Sequence, residues 1–380
     1  MTFKEKILML NEKVDNKEKI KILFLNTSME NNIRGSNVKN KSRVFYDYLM
    51  KKNDERFDVI NVTTFDEYKE TYKDCDLIIP PMQYEFFFGD KDKEILADIY
   101  ENKKLVNIRY SLAWHKIIQD KIYSNAFLNC IDDPSIGRDI QDVYTGHPWS
   151  ECLKLPKEEF KDPWKTTNKK RILVCPHHSI DEKNNMYGNQ GDLLEWGEEF
   201  LELVNKYRNE VEFVMRPHPN LYCIIENNFN YKKMDHNRFK KILDILFKCK
   251  DMVTFNCDED YISWFKYSDA LVHDGGSFRC EYLYMNKPVC YMANETNMEN
   301  SKFSQMGLEA MNCHEICYKS RGDKLESFIL NVINEIDEKA ELRNKYYEKY
   351  CEYYPNGKTP CENIVNAILG QQEYSYLRMY

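Results

Sequence analysis

Nowhere in the 380 residues does an apolar run approach the ~18 residues that a membrane-spanning helix needs. The first stretch, MTFKEKILMLNEKVDNKEKIKILFL, lacks the small-residue cleavage site of a secretory signal. A basic excess is missing too. Lys and Arg number 54 against 62 Asp and Glu, a net charge of −8 with both signs interspersed. That balance argues against a nucleic-acid scaffold, although NKKR at 168–171 is a local basic patch. No disulfide framework is visible. The 13 cysteines are odd in number and scattered, and Cys75, Cys175 and Cys290 sit among apolar neighbours, as small buried hydrophobes of a reducing compartment do. The one local cluster, NCHEICY with Cys313, His314 and Cys317, lacks the second ligand pair of a zinc site. No repeat at solenoid spacing and no low-complexity tract is present. These absences point to a cytoplasmic globular protein, with attachment to the inner membrane face left open.

What is present is an alternation of strands and helices. Hydrophobic residues make up 42% of the chain, and its length suits two domains better than one. KIKILFLN (19–26), FDVINVTT (57–64), CDLIIPP (75–81), LVNIRY (105–110) and QDVYTGHP (141–148) read as strands. KSRVFYDYLMKK and KDKEILADIYENKK carry helical spacing between them, and a further helix is expected to begin near Ser111. The pattern breaks in EFKDPWKTTNKK. A second series then follows: RILVCPHHS, VEFVMRPHPN, SDALVHDGGSF and KPVCYM as strands, with helices between and after them. The alternation predicts an α/β protein of two doubly wound, Rossmann-like domains. The boundaries expected are 1–150, a linker at 151–169, a second domain at 170–359, and a final helix and tail at 360–380. Ligands of such sheets bind beyond the carboxyl ends of the strands.

Histidine is scarce, and six of the eight lie at strand ends, in AWHK, TGHP, PHHS, RPHP and HDGGSF. A histidine there can donate to a phosphate or act as a base near neutral pH. In HDGGSF, Gly275 and Gly276 allow close approach of the backbone to a ligand. Ser277 stands where the cap of a helix carrying Phe278 and Glu281 belongs, and a helix start of that kind favours anions. An ordinary capped turn would look the same. Arg216 can fork onto a phosphate, beside His218 held between Pro217 and Pro219. His177, His178 and Ser179 follow the strand RILVC. A metal held by these histidines with His273 and Asp274 is an alternative, but a donor-lined anion pocket explains the same residues without one. His115, after Trp114, is placed to serve as a base.

Read in order, SLAWHKIIQDK, VYTGHPWSE, LVCPHHS, FVMRPHPN, SDALVHDGGSFRCEYLYMNKPVCYM and YPNGKTPCENIVNAI resemble the CDP-glycerol glycerophosphotransferase family, the teichoic-acid and capsule polymerases of GT-B fold. The resemblance runs from about residue 105 to 370. It implies two Rossmann-like domains facing a cleft, with the C-terminal helix crossing back to the first. It implies His115 as general base and His218 on the donor phosphates. His273, Asp274, Gly275, Gly276, Ser277 and Phe278 align with the family's phosphate-binding turn, and Asn356, Gly357 and Lys358 with a late Asp-Gly-Lys element. Trp114, Gly146, His147 and Pro148 would support the cleft. Three departures stand out: Lys116 follows the histidine where the family has glycine, PHHS replaces a Pro-Thr-Trp-Arg stretch, and Gly-Gly replaces Tyr-Ser in the turn.

The implied reaction moves a glycerophosphate-type group from a CDP-activated donor to a hydroxyl of a glycan, teichoic-acid or capsule acceptor, releasing CMP. The partners are thus a nucleotide-activated donor and a glycan or polyol-phosphate acceptor, with no cofactor and no metal. A nucleotide-sugar glycosyltransferase and a catalytically silent nucleotide-binding scaffold are the alternatives.

Overall fold

The computed structural model describes residues 1–25, 42–80, 93–109, 112, 125–137, 139–177, 193–218, 221, 236–256, 260–293, 303–318 and 324–371. The chain divides into two compact units. Of the described residues, one unit holds 1–25, those from 42 to 152 and 353–371, and the other holds those from 153 to 352.

In the first unit, strands β1 (Ile20–Leu25), β2 (Phe57–Val62) and β3 (Leu77–Ile79) pair in the order β2-β1-β3. Strands β4 (Val106–Ile108), β5 (Leu128–Ile131) and β6 (Asp142–Tyr144) pair in the order β4-β5-β6. Every pairing is parallel, and a parallel bridge between Ile78 and Leu105 joins the two sets edge to edge. Parallel sheets are covered on both faces, so their strands are apolar throughout rather than alternating. β1 shows why. Ile22 and Phe24 enter one core with Phe3, Phe45 and Ile364, while Leu23 and Leu25 enter another with Tyr68, Tyr72 and Ile99. The last helix, Pro360–Ile368, belongs to the first of these cores and buries Cys361, Ile364, Val365, Ala367 and Ile368. A capping box between Thr359 and Glu362 starts it, with a proline in its first turn.

The second unit has one six-stranded parallel sheet. Its strands are β7 (Lys170–Cys175), β8 (Val211–Met215), β9 (Thr254–Phe255), β10 (Ala270–His273), β11 (Val289–Ala293) and β12 (Glu315–Tyr318). The order is β12-β11-β10-β7-β8-β9. The chain therefore winds outward from β7 on one side, returns, and winds outward from β10 on the other. A reversal of this kind opens a crevice at the carboxyl ends of the two central strands, β7 and β10. Beneath one face lie the helices Leu193–Tyr207 and His236–Met252. They approach closely at Gly197, where a Cβ would stand 2.7 Å from Ile245 Cγ2.

Several elements differ from the sequence expectation. The N-terminal stretch forms a helix, Phe3–Asp15, opened by a capping box between Thr2 and Glu5. β5 and β12 were not expected, because each is a run of only four residues with polar members. After residue 324 the chain forms two helices, Lys324–Ile333 and Ala340–Tyr346, within the one or two that its spacing allows, with Glu335 at φ 57° between them. The polar stretch beyond Leu153 packs within the second unit, where Trp164 meets Trp264 edge-on with ring centroids 5.4 Å apart. The helix expected near Ser111 lies outside the described residues.

Candidate active site

The motifs RPHP, PHHS and HDGGSF follow β8, β7 and β10, which are neighbours in the sheet. Main-chain and side-chain hydrogen bonds tie the three strand ends together. Arg216 N–H donates to Val174 O at 2.7 Å, and His218 N–H donates to Pro176 O at 2.9 Å. His177 N–H donates to Asp274 Oδ1 at 2.6 Å, and the Trp196 indole N–H donates to Asp274 Oδ2 at 3.1 Å. Asp274 is fully buried at the point where the sheet reverses, so one carboxylate closes the crevice floor between β7 and β10. Burial pushes its carboxyl up to about 7, against the two N–H donors, which favour the ionised form. The rings of His177 and His218 meet edge to face, with centroids 4.9 Å apart.

The glycine turn is built to a fixed orientation. Gly276 has φ +76°, and a Cβ there would lie 3.1 Å from His177 Cδ2. Only glycine adopts that conformation without strain and also leaves room for the imidazole. His273 Nδ1 faces Gly275 O at 3.3 Å, and Arg279 Nε donates to Gly276 O at 3.5 Å. Both carbonyls are drawn toward buried side chains. Since a trans peptide is planar, its N–H points opposite its C=O. The N–H groups of Gly276 and Ser277 therefore point away from that buried side. Successive amides with φ of opposite sign, +76° at Gly276 and −70° at Ser277, form a concavity of the anion-binding kind.

Several sequence expectations are placed differently. Phe278–Glu281 is a helix of only four residues, continued by a 3-10 turn at Tyr282–Met285, and Ser277 makes no side-chain capping bond. A helix so short adds little dipole, so the N–H donors on offer at this strand end are the turn's own amides. His273 is wholly buried with its ring against Tyr291 and His314, and Glu281 is wholly buried and accepts from the Tyr261 hydroxyl. Both brace the turn from behind and do not line its open side. The Arg216 guanidinium donates to Asn256 Oδ1 and lies over the Tyr261 ring at 5.8 Å. Phe278 packs against Tyr261 and Phe265, each at a centroid distance of 4.9 Å.

Behind the turn, His273 and His314, which belong to two separate motifs of the sequence, meet Arg279 and Tyr291, which no motif marked. His273, Tyr291, His314 and Arg279 are each at most 1% exposed. His314 Nδ1 donates to Ala310 O at 2.7 Å. Burial, first of all, holds the His273 imidazole well below its usual range and lowers His314 to about 3. Both rings are therefore neutral, each with its proton on the nitrogen facing a carbonyl. Arg279 could have been noticed as a cation inside an apolar run; Trp196 and Tyr291 carried no signal. The cysteines of NCHEICY go to separate partners: Cys317 Sγ lies 3.2 Å from Cys290 Sγ, while Cys313 Sγ donates to Glu309 O. Among the described residues no three His, Cys, Asp or Glu side chains are grouped to hold a metal ion.

In the first unit, His147 is 2% exposed and fully engaged. Its Nε2 donates to Arg109 O at 2.8 Å, and its Nδ1 accepts from Trp149 N–H at 3.1 Å. It fixes the Gly146–Pro148 corner. Gly146, at φ +74°, sits against Pro355 and Pro360. Asn363 donates to the carbonyls of Thr145, Pro355 and Lys358, which anchors the turn holding Gly357 and Lys358. Trp114, His115, His178 and Ser179 lie outside the described residues.

No family model and no curated protein matches the chain. Solved structures do. One is the wall teichoic acid polymerase TagF, 13% identical over 98% of this chain and 99% of that one, with a TM-score of 0.58. Another is MnaA of S. aureus, solved with UDP, 15% identical over 93% and 97% of the two chains, TM-score 0.56. A third is a putative UDP-N-acetylglucosamine 2-epimerase of Listeria monocytogenes, 13% identical over 93% and 98%, TM-score 0.55. These likenesses extend over nearly the whole chain, and with its two parallel α/β units they show that the protein has the GT-B fold.

Proposed function

We propose that the protein is a transferase of cell-envelope synthesis that moves a glycerophosphate-type group from a CDP-activated donor to an acceptor hydroxyl. The observation that carries this reading is the gathering of three donor-bearing loops at the reversal point of the second sheet. A diphosphate placed there would meet the amides of Gly276 and Ser277 together with the imidazoles of His177 and His218. The likeness in fold to a teichoic acid polymerase supports the choice of substrate class.

In this reading the acceptor oxygen attacks the phosphorus that bears glycerol. The P–O bond to CMP breaks, and CMP leaves with the electron pair. His115 takes the acceptor proton. Negative charge grows on phosphate oxygens in such a transfer, so fixed donors contribute most of the rate. Asp274 and Trp196 hold the His177 loop against the turn, so the donors need little reorganisation when substrate enters.

The test is incubation with CDP-glycerol, CDP-ribitol, UDP-sugars and CMP-sugars, each with a polyol-phosphate primer, followed by identification of the released nucleotide. CMP release from CDP-glycerol with extension of the primer is expected. UDP release from a UDP-sugar would instead make the protein a glycosyltransferase, and donor binding without turnover on any acceptor would make it a silent scaffold. His115→Ala and His218→Ala should each lower turnover at least ~100-fold, the usual scale for loss of a general base or a charge-stabilising donor.

A further inference from the structure

We infer that Arg279 is a positioning residue for anion binding: its buried guanidinium is the fixed positive charge that backs the Gly275–Gly276 turn and makes the turn selective for a phosphate group. The inference rests on the proposed function, which places a diphosphate on the open side of that turn. Arg279 is 1% exposed. Its Nε reaches Gly276 O at 3.5 Å, and the guanidinium lies over the rings of Tyr291 and Phe303, 4.9 and 5.7 Å from their centroids. Two aromatic faces favour a cation between them and fix its plane. The side chain thus holds a carbonyl of the turn inward while its charge sits directly behind the outward amides.

Of the three basic side chains behind the turn, Arg279 alone carries charge: burial lowers its guanidinium too, but from a starting value so high that it stays protonated. His273 and His314 are neutral by burial, and the charge on Arg279 is one of the forces that keep them so. The same charge acts on Asp274 across the crevice floor, favouring its ionised form. Its field therefore reaches the groups that surround the turn. Burying a cation carries a heavy desolvation cost. That charge, away from water, is screened far less by salt than a surface lysine would be. A neutral turn of the same shape would offer two amides; this one offers two amides with a positive charge behind them.

The experiment compares wild-type protein with Arg279→Met and Arg279→Lys by calorimetric titration of CDP, inorganic pyrophosphate and cytidine. Each variant is first checked for a cooperative thermal transition. Arg279→Met should lose at least about ten-fold in affinity for CDP and pyrophosphate, the scale of one charge-assisted contact, while cytidine binding stays within about two-fold. Arg279→Lys, which keeps the charge, should recover most of the CDP affinity. A purely structural role would lower CDP and cytidine binding together and would not be rescued by lysine. Folded Arg279→Met that binds CDP and pyrophosphate as wild type does overturns the inference and leaves the proposed function standing. If Arg279→Met does not fold, Arg279→Lys decides alone: a ten-fold loss for CDP in the folded lysine variant overturns the inference. Wild-type protein that binds neither CDP nor pyrophosphate refutes the proposed function, and this inference with it.

Discussion

Replacing Gly276 with alanine tests the site at its narrowest point. The residue sits at φ +76°, and the new Cβ would lie 3.1 Å from His177 Cδ2 and 3.5 Å from its Nε2. Left-handed backbone costs an L-residue about 1–2 kcal/mol. The contact with Cδ2 is closer than methyl groups normally make, so the imidazole must also move by a few tenths of an ångström. That ring is packed edge to face on His218, and its own amide is held by Asp274, so movement at one strand end is passed to the next. Gly276→Ala should therefore lose about 1–2 kcal/mol of stability and, separately, at least about ten-fold in CDP affinity. Gly370→Ala is the control. It has the same left-handed backbone (φ +64°) and a harder clash, 2.6 Å to Ile7 Cγ2, but lies in the first unit. Its stability loss should exceed that of Gly276→Ala while CDP affinity is retained. Urea unfolding and calorimetric titration of both variants decide the matter. Equal CDP binding by Gly276→Ala and wild type would refute the placement of the anion against this turn. Equal loss by both glycine variants would show that binding merely follows stability.

Two further outcomes are expected. Burial lowers the His314 imidazole to about 3, so its neutral form stabilises the fold fully above the unfolded value near 6.5, and that stability is lost as pH falls toward 3. Asp274 runs the other way, because its carboxyl is raised to about 7: protonation on going down from that pH favours the fold. His314→Phe removes only the first effect, so between pH 6.5 and 4 the stability difference between wild type and variant should shrink by on the order of 3 kcal/mol. Parallel pH profiles in urea unfolding would contradict the burial argument. In the first unit, Ile364→Ala in the final helix should cost about 2–5 kcal/mol, because Ile364 is wholly buried in the core that it shares with Phe24 and Phe45. A loss below 1 kcal/mol in thermal or urea unfolding would mean that this helix is not integral to that core.

The strand ends are legible in the sequence, because a buried parallel strand is a short apolar run and its end is where polar residues resume. RILVC ends at Cys175, VEFVM at Met215 and ALVH at His273, as the composition of each stretch suggests. Strands such as LNCI and EICY were missed. Their polar members blur so short an apolar run, and parallel pairing with neighbours far along the chain is what holds them extended. The site was legible in part for the same reason. Histidines, an arginine and paired glycines at strand ends declare themselves, but the direction in which each side chain faces does not. His273 stands within the same motif as Ser277, yet it lies behind the turn and not on its open side.

What the residues determined alone was local: apolar runs flanked by helical periodicity, hence two parallel α/β units, and a set of loops rich in donors. Tertiary structure decided which loops meet. The order β10-β7-β8 is a property of the winding, and it brings residues 177, 218 and 276 together across nearly a hundred positions of chain. Tertiary structure also decided which basic side chains are charged, because the same burial neutralises two imidazoles and lowers a guanidinium that is too basic to lose its proton. Spacing along a chain carries no record of burial. Desolvation depends on what packs around a group from every side, and only the folded molecule specifies that.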